Sequence, residues 1–193
     1  GDIATVNEGI GSGDDDYFIR DWWEIPESWI GDRYKWIMMS GDDVEYYYST
    51  TKTVRWEDGG EELIEHPSSN PRNLDEQRKA GLSYRNFGKH FTARVHPDGF
   101  LFSNKSPFIN ISENKYEVLG YLCSTLTRYI MNGMNPGINF NTGDGKRLPI
   151  KREFTRGDEI EELVKSAIEL RTDLYAQSEI RKEFDGGEFI TNP

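Results

Sequence analysis

Residues 82–104 read LSYRNFGKHFTARVHPDGFLFSN, and how they are read decides the fold class. Polar residues alternate with apolar or aromatic ones, the period of a strand with one buried face. Pro97-Asp98-Gly99 divides the stretch at a turn, because proline presets φ and glycine accepts a conformation closed to other residues. Two strands are therefore expected here. Upstream, YKWIMMSG and VEYYYS read as a hairpin closed by Ser40-Gly41-Asp42-Asp43, TKTVRW as a further strand, and DYFIRDWWEIP as a strand ending near Pro26. Residues 61–80, interrupted by two prolines, read as surface helix or loop.

Downstream the period changes. In YEVLGYLCSTLTRYIMNGM, the residues Val118, Leu119, Leu122, Leu126, Tyr129 and Ile130 recur at helical spacing, which predicts one helix from about Lys115 to Met131, stopped by Gly133 and Pro136. A second amphipathic helix is expected from Gly157-Asp158 to about Phe184, with Ile160, Leu163, Val164, Ala167, Leu170 and Leu174 on one face. The fold class is thus α+β, mostly antiparallel strands with one buried helix, followed by a long C-terminal amphipathic helix. The expected division is 1–152 as one domain and 153–193 as a helical spacer or tail that packs against something outside it.

The 193 residues suit one domain with an appendage. No long apolar run and no basic-then-apolar leader is present, so neither a membrane span nor a secretory signal is expected. The chain opens at Gly1-Asp2-Ile3 without an initiator methionine, which points to a fragment or processed chain. One cysteine, Cys123, forms no internal disulfide, and a reducing, cytoplasmic setting fits. With only His66, His90 and His96 beside it, a His/Cys zinc site is not expected.

Net charge is −11, but unevenly distributed. Residues 1–34 hold nine acids against Arg20 and Arg33, and residues 157–193 hold ten acids against four bases. Between them Arg78, Lys79, Arg85, Lys89, Arg94 and Lys105 face Asp98 alone, and Lys146, Arg147, Lys151, Arg152 and Arg156 form a second basic group. Overall acidity therefore does not exclude a polyanionic partner.

No catalytic constellation emerges. In NPGINFNTGDGKRLPI (135–150), a phosphate-binding reading of GDGK fails on spacing: Phe140 stands where the first glycine belongs, Arg147 replaces the hydroxyl, and Leu148-Pro149 disfavours the following helix. Asp14-Asp15-Asp16 reads as a solvated run before it reads as a magnesium site. The glycines from Gly9 to Gly13 resemble a cofactor loop only loosely, because DYFIRDWW after them reads as strand. Binding chemistry is better represented, since SYRNFGKHFTAR interleaves Tyr84, Phe87 and Phe91 with Arg85, Asn86, Lys89, His90 and Arg94. Such a mixture contacts phosphates and reads base edges; a strand pair with core aromatics and solvated bases is the plain alternative. Trp22, Trp23, Trp29, Trp36 and Trp56 invite a carbohydrate platform, or simple packing.

The order of these motifs resembles the target-recognition region of large adenine-specific DNA methyltransferases, particularly those of BREX phage-defence systems and related restriction-modification enzymes. The resemblance covers about residues 7–150 and rests on GIGSGDDDYFIRDWWEIP, YKWI, VRWEDGG, GLSYRNFGKHFTARVHPDGFLFSNKSPFI and YEVLGYLCSTLTRYIMNGMNPGINFNTGDGKRLPI. Asn135-Pro136, Asn139-Phe140, Gly143-Asp144 and Leu148-Pro149 match its closing segment. The family's Asn-Pro-Pro-Tyr-type catalytic motif and methyl-donor site are absent. The resemblance therefore implies recognition of double-stranded DNA beside a catalytic domain on the parent protein, a site-specific N6-adenine methyltransferase using S-adenosylmethionine, with other defence-system subunits as further partners. No cofactor is expected in this chain itself. The residues expected at DNA are Arg78, Lys79, Tyr84, Arg85, Asn86, Lys89, His90, Arg94, Lys146 and Arg147. A protein-docking module of the same machinery is the alternative, and a carbohydrate-binding module a third. A continuous basic face favours DNA, and scattered bases favour docking.

Overall fold

The computed structural model describes residues 4–184, an α+β chain built on two four-stranded sheets. The first sheet has the order β1 (Ala4–Asn7), β8 (Phe108–Ile111), β5 (Gly81–Tyr84), β6 (Ala93–His96), with every neighbour antiparallel. The second has the order β2 (Ile19–Asp21), β4 (Lys52–Arg55), β3 (Tyr34–Met38), β7 (Leu101–Phe102), in which β7 runs parallel to β3 and the other pairs are antiparallel. The turn at Pro97-Asp98-Gly99 is thus a crossing between sheets: β6 before it belongs to one and β7 after it to the other.

Each sheet has its own apolar cluster. Leu82, Tyr84, Ala93 and Ile109 of the first sheet pack with Val118, Leu119 and Leu122 of α3 (Lys115–Leu122). Ile37, Val54 and Leu101 of the second pack with Phe18 of α1 (Asp15–Phe18) and Leu63 of α2 (Glu61–Glu65). Met38, Tyr48, Phe102 and Phe108 form the joint between them, with Phe102 and Phe108 stacked at 4.8 Å.

Several expected elements take a different form. DYFIRDWW is mostly not strand. The Asp14 carboxylate accepts from the Tyr17 N–H and starts α1, and only Ile19–Asp21 is extended before a 3-10 turn at Trp22–Glu24. The hairpin expected between YKWIMM and VEYYYS does not form, because Tyr46 adopts φ +67 and leaves only a bridge to Arg94. The single helix expected over 115–131 is two, α3 and α4 (Thr125–Met134), since the Ser124 hydroxyl accepts from the Thr127 N–H at 3.2 Å and begins a new helix.

GDGK lies inside a short helix, α5 (Thr142–Arg147). Asn141 and Asp144 form a reciprocal capping box at its start, and Asn135 Nδ2 donates to Asp144 at 2.8 Å. Gly145 is glycine because α5 lies on Tyr84: a Cβ there would stand 2.9 Å from the Tyr84 hydroxyl. GDGK is therefore a packed joint.

The last helix, α6 (Gly157–Ala176), ends earlier than its apolar pattern predicts and lies along α3. Gly120 permits the approach, since a Cβ would come within 2.8 Å of Ile160 Cγ2 and 3.1 Å of Val164. Residues 177–184 then return across the second sheet. The Trp22 indole donates to the Ile180 carbonyl at 3.0 Å, Arg181 donates to the Ser49 carbonyl, and Glu183 accepts from Tyr47 and Ser49. Ile160, Val164 and Ile168 face the core, whereas Leu163, Leu170 and Leu174 are exposed.

Candidate nucleic-acid interface

β5 ends at Tyr84 and β6 begins at Ala93, and the loop between them carries most of the residues expected at DNA. Its backbone is held on both sides. The Arg85 N–H donates to the Thr92 carbonyl at 3.1 Å, the Asn86 N–H to the Lys105 carbonyl at 3.3 Å, and the Gly88 N–H to the Ile138 carbonyl at 2.9 Å. Phe140 N–H donates back to the Asn86 carbonyl at 2.6 Å, and Phe87 bridges to Asn139. Beneath the loop, Phe91 is buried against Tyr84 and edge-on to Phe140, with centroids 5.0 and 5.6 Å away.

These contacts bring together two basic runs that are about fifty residues apart in sequence, since residues 138–141 lead straight into α5 with its Lys146 and Arg147. Lys89, His90, Lys146 and Arg147 are exposed, and among the described residues none has a carboxylate within salt-bridge distance. Arg85 is half-buried, donating to Ser40 Oγ at 3.3 Å with Asp43 at 3.8 Å. Asn86 Nδ2 donates to the Asn104 carbonyl at 3.2 Å, so this amide secures the loop.

Two expected residues are corrected. Arg94 is fully buried: its guanidinium donates to the carbonyls of Met39, Ser40 and Asp42 at 3.2, 2.5 and 3.4 Å and lies over the Tyr48 ring. Burial pulls its pKa down to about 10, so it stays charged at neutral pH, a cation spent on pinning a loop. Tyr84 is also fully buried, and its hydroxyl donates to the Asn141 carbonyl at 2.9 Å; burial, with Asp144 next, pushes its pKa well up. Neither presents a group to a duplex.

Arg78 and Lys79 lie at the opposite end of β5, about 13 Å of strand away, where the Arg78 N–H donates to the Phe100 carbonyl. Lys79 pairs with Glu76 at 2.8 Å. The bases thus fall into two groups, and the larger one, with Lys89, Lys146 and Arg147 exposed and Arg85 beside Asp43, belongs to the β5–β6 loop and the α5 segment bonded to it. Sequence reasoning left Phe87 out of the DNA-facing set, yet it is 49% exposed at the centre of that group, beside Ile138 at 51%. Its bracketing by Asn86 and Gly88, both turn formers, was the available signal.

Elsewhere, the other proposed sites are occupied by the protein's own packing. A Cβ on Gly9 would stand 2.1 Å from the Phe102 carbonyl oxygen, and Gly13, at φ +74, lies against Ser68, so this glycine run seats the chain on its neighbours. Asp15 pairs with Lys105 at 2.5 Å and accepts from Ser12. Among the described residues no three His, Cys, Asp or Glu side chains are grouped to hold a metal. The adjacent Trp22 and Trp23 cross at 80° and so are not coplanar, while Trp29 stacks on Tyr34 and Trp36 on Phe100. No described helix is long and apolar enough to cross a membrane.

No family model matches the chain. Sequence similarity nevertheless relates it, distantly, to the adenine-specific methyltransferases. The relative is the adenine-specific methyltransferase BrxX of Escherichia coli O9:H4 (strain HS), 26% identical over 190 residues that cover 93% of this chain. The chain spans about 15% of the length of that relative.

Proposed function

We propose that this chain is the DNA target-recognition region of an adenine-specific methyltransferase of a phage-defence or restriction-modification system, which positions duplex DNA for N6-adenine methylation by a catalytic domain elsewhere in the parent protein. One observation carries the reading: peptide hydrogen bonds join the β5–β6 loop, with Lys89, to the segment that leads into Lys146 and Arg147, and among the described residues these three exposed cations have no carboxylate within salt-bridge distance. Affinity for a polyanion comes mainly from such cations, each releasing a condensed counterion when it meets a phosphate. The methyl donor, S-adenosylmethionine, belongs to the catalytic part, and a cytoplasmic setting goes with access to DNA. The distant similarity to an adenine-specific methyltransferase supports the assignment.

The test is a fluorescence titration of the chain, and of a version joined to its catalytic domain, with duplex DNA at several salt concentrations. Expected is weak binding with a log–log salt slope of about −0.9 per phosphate contacted. Replacing Lys89, Lys146 or Arg147 by glutamine reduces the slope by about one each, across all sequences. Absence of binding in both proteins at low salt overturns the reading.

The docking alternative keeps one specific observation in its favour, the exposed Leu163, Leu170 and Leu174 on α6. Their spacing of seven and four suits a partner helix, and in the proposed role that surface meets the parent's catalytic part or another subunit.

A further inference from the structure

We propose that Phe87 is a wedge that enters the base stack of duplex DNA; this rests on the DNA-recognition reading and adds to it the structural event at the site. A half-exposed phenylalanine forgoes part of the free energy of burial, and on a loop fixed by peptide hydrogen bonds the ring stays presented to an occupant. The loop is not loose: peptide hydrogen bonds fix Arg85, Asn86 and Gly88, and Phe87 itself bridges to Asn139. The second aromatic of the loop, Phe91, is fully engaged in the core, so Phe87 is the ring held outward.

The surroundings select the occupant. Of the other large exposed apolar side chains, Ile138 stands beside Phe87, whereas Leu163, Leu170 and Leu174 on α6 are interspersed with Glu162, Glu169 and Asp173. Phe87 instead stands beside Lys89 and His90 and over the segment leading to Lys146 and Arg147, all exposed. An aromatic ring flanked by Ile138 and by the exposed cations Lys89, Lys146 and Arg147 matches a partner with an anionic backbone and apolar, stackable faces inside. A protein partner offers the reverse, a broad apolar patch with a polar rim. Inserting a ring between base pairs costs unstacking, which aromatic stacking on a base offsets. A base whose neighbour has been prised away is also cheaper to rotate out of the helix, the event that adenine methylation requires.

The experiment compares the 193-residue chain on two labelled duplexes of the same sequence, one fully paired and one with a central abasic site, whose stack is already broken. The wild type is expected to prefer the abasic duplex by about fivefold to tenfold, because the unstacking cost is already met. Phe87→Ala is expected to lose that preference while keeping its salt slope and melting temperature, and Phe87→Trp to keep all three. Equal affinity for the two duplexes with a steep salt slope overturns the wedge and leaves the DNA reading standing. So does a preference that survives in Phe87→Ala. If Phe87→Ala melts lower, Phe87→Thr, too short and too polar to enter the stack, serves as the second variant: retention of the preference there likewise overturns the wedge, and its loss at an unchanged salt slope supports it. Failure of the wild type to bind either duplex removes both proposals together.

Discussion

Arg94 shows how residue type alone misleads. A guanidinium in a run of bases reads as a phosphate contact, yet this one is buried and spans three carbonyls of residues 39–42. An ammonium carries the same charge but lacks the planar fork. Arg94→Lys is therefore expected to lower unfolding free energy by about 2–4 kcal/mol in a urea melt, because orphaned carbonyls keep their desolvation cost. The salt slope for DNA, corrected for folded fraction, should not change. His96 makes a second residue-scale prediction. It is fully buried, donates from Nε2 to the Phe100 carbonyl at 3.1 Å, and burial holds its pKa down at about 4. The unfolded chain, titrating near 6.5, takes up a proton that the native state refuses. Stability is therefore intact above about pH 6.5 and falls as pH drops toward 4, by up to about 1.4 kcal/mol per unit. Urea melts at pH 7 and 5 measure this, and His96→Gln should flatten the difference; the depressed carboxylates, such as Asp15 and Glu57, act only at lower pH.

Among the elements, α5 is the one on which the basic cluster depends. Asn141→Ala removes a cap that accepts from the Asp144 N–H at 3.2 Å, at a cost of about 1 kcal/mol, and frees the helix that carries Lys146 and Arg147. A weaker DNA affinity with a fall in melting temperature of about 3 °C is the expected signature, read by titration and calorimetry. The same element marks the limit of what sequence patterns reveal. β4 and most of β3 were legible because β-branched and aromatic residues bounded by turn formers mark strands, whereas the stretch before Pro97 read as one strand and is two, β5 and β6, since alternation runs on through the loop at residues 85–92. The break between α3 and α4 was not, since apolar spacing runs on through Cys123-Ser124 and only the Ser124 cap interrupts it. VEYYYS looked like a strand because β propensity carries no information about Tyr46 adopting φ +67. For the interface, the presence of bases was legible; their burial, pairing and convergence were not, because these depend on contacts between residues 85–92 and 138–141.

Over the whole molecule, the two sheets are linked by a small joint and by the return of residues 177–184. Trp22, Tyr47, Ser49 and Asp42 receive Ile180, Glu183 and Arg181. Ending the chain after Gln177 removes all of these contacts, and a fall in melting temperature of about 5 °C is expected by calorimetry, taking a loss of 1–2 kcal/mol in a domain of this size. If the temperature holds, the returning segment adds no stability. Two sheets tied by helix and strap give the β5–β6 loop a stiff base at one end of the first sheet.

That loop is fastened by peptide groups, not by the side chains at positions 87, 89 and 90. Peptide groups are the same whatever residue stands there. Exchange at these positions therefore leaves the loop's shape intact, so its vocabulary of contacts is interchangeable while its grammar is fixed, and in the proposed role a lineage would acquire a new target without rebuilding the scaffold that presents it.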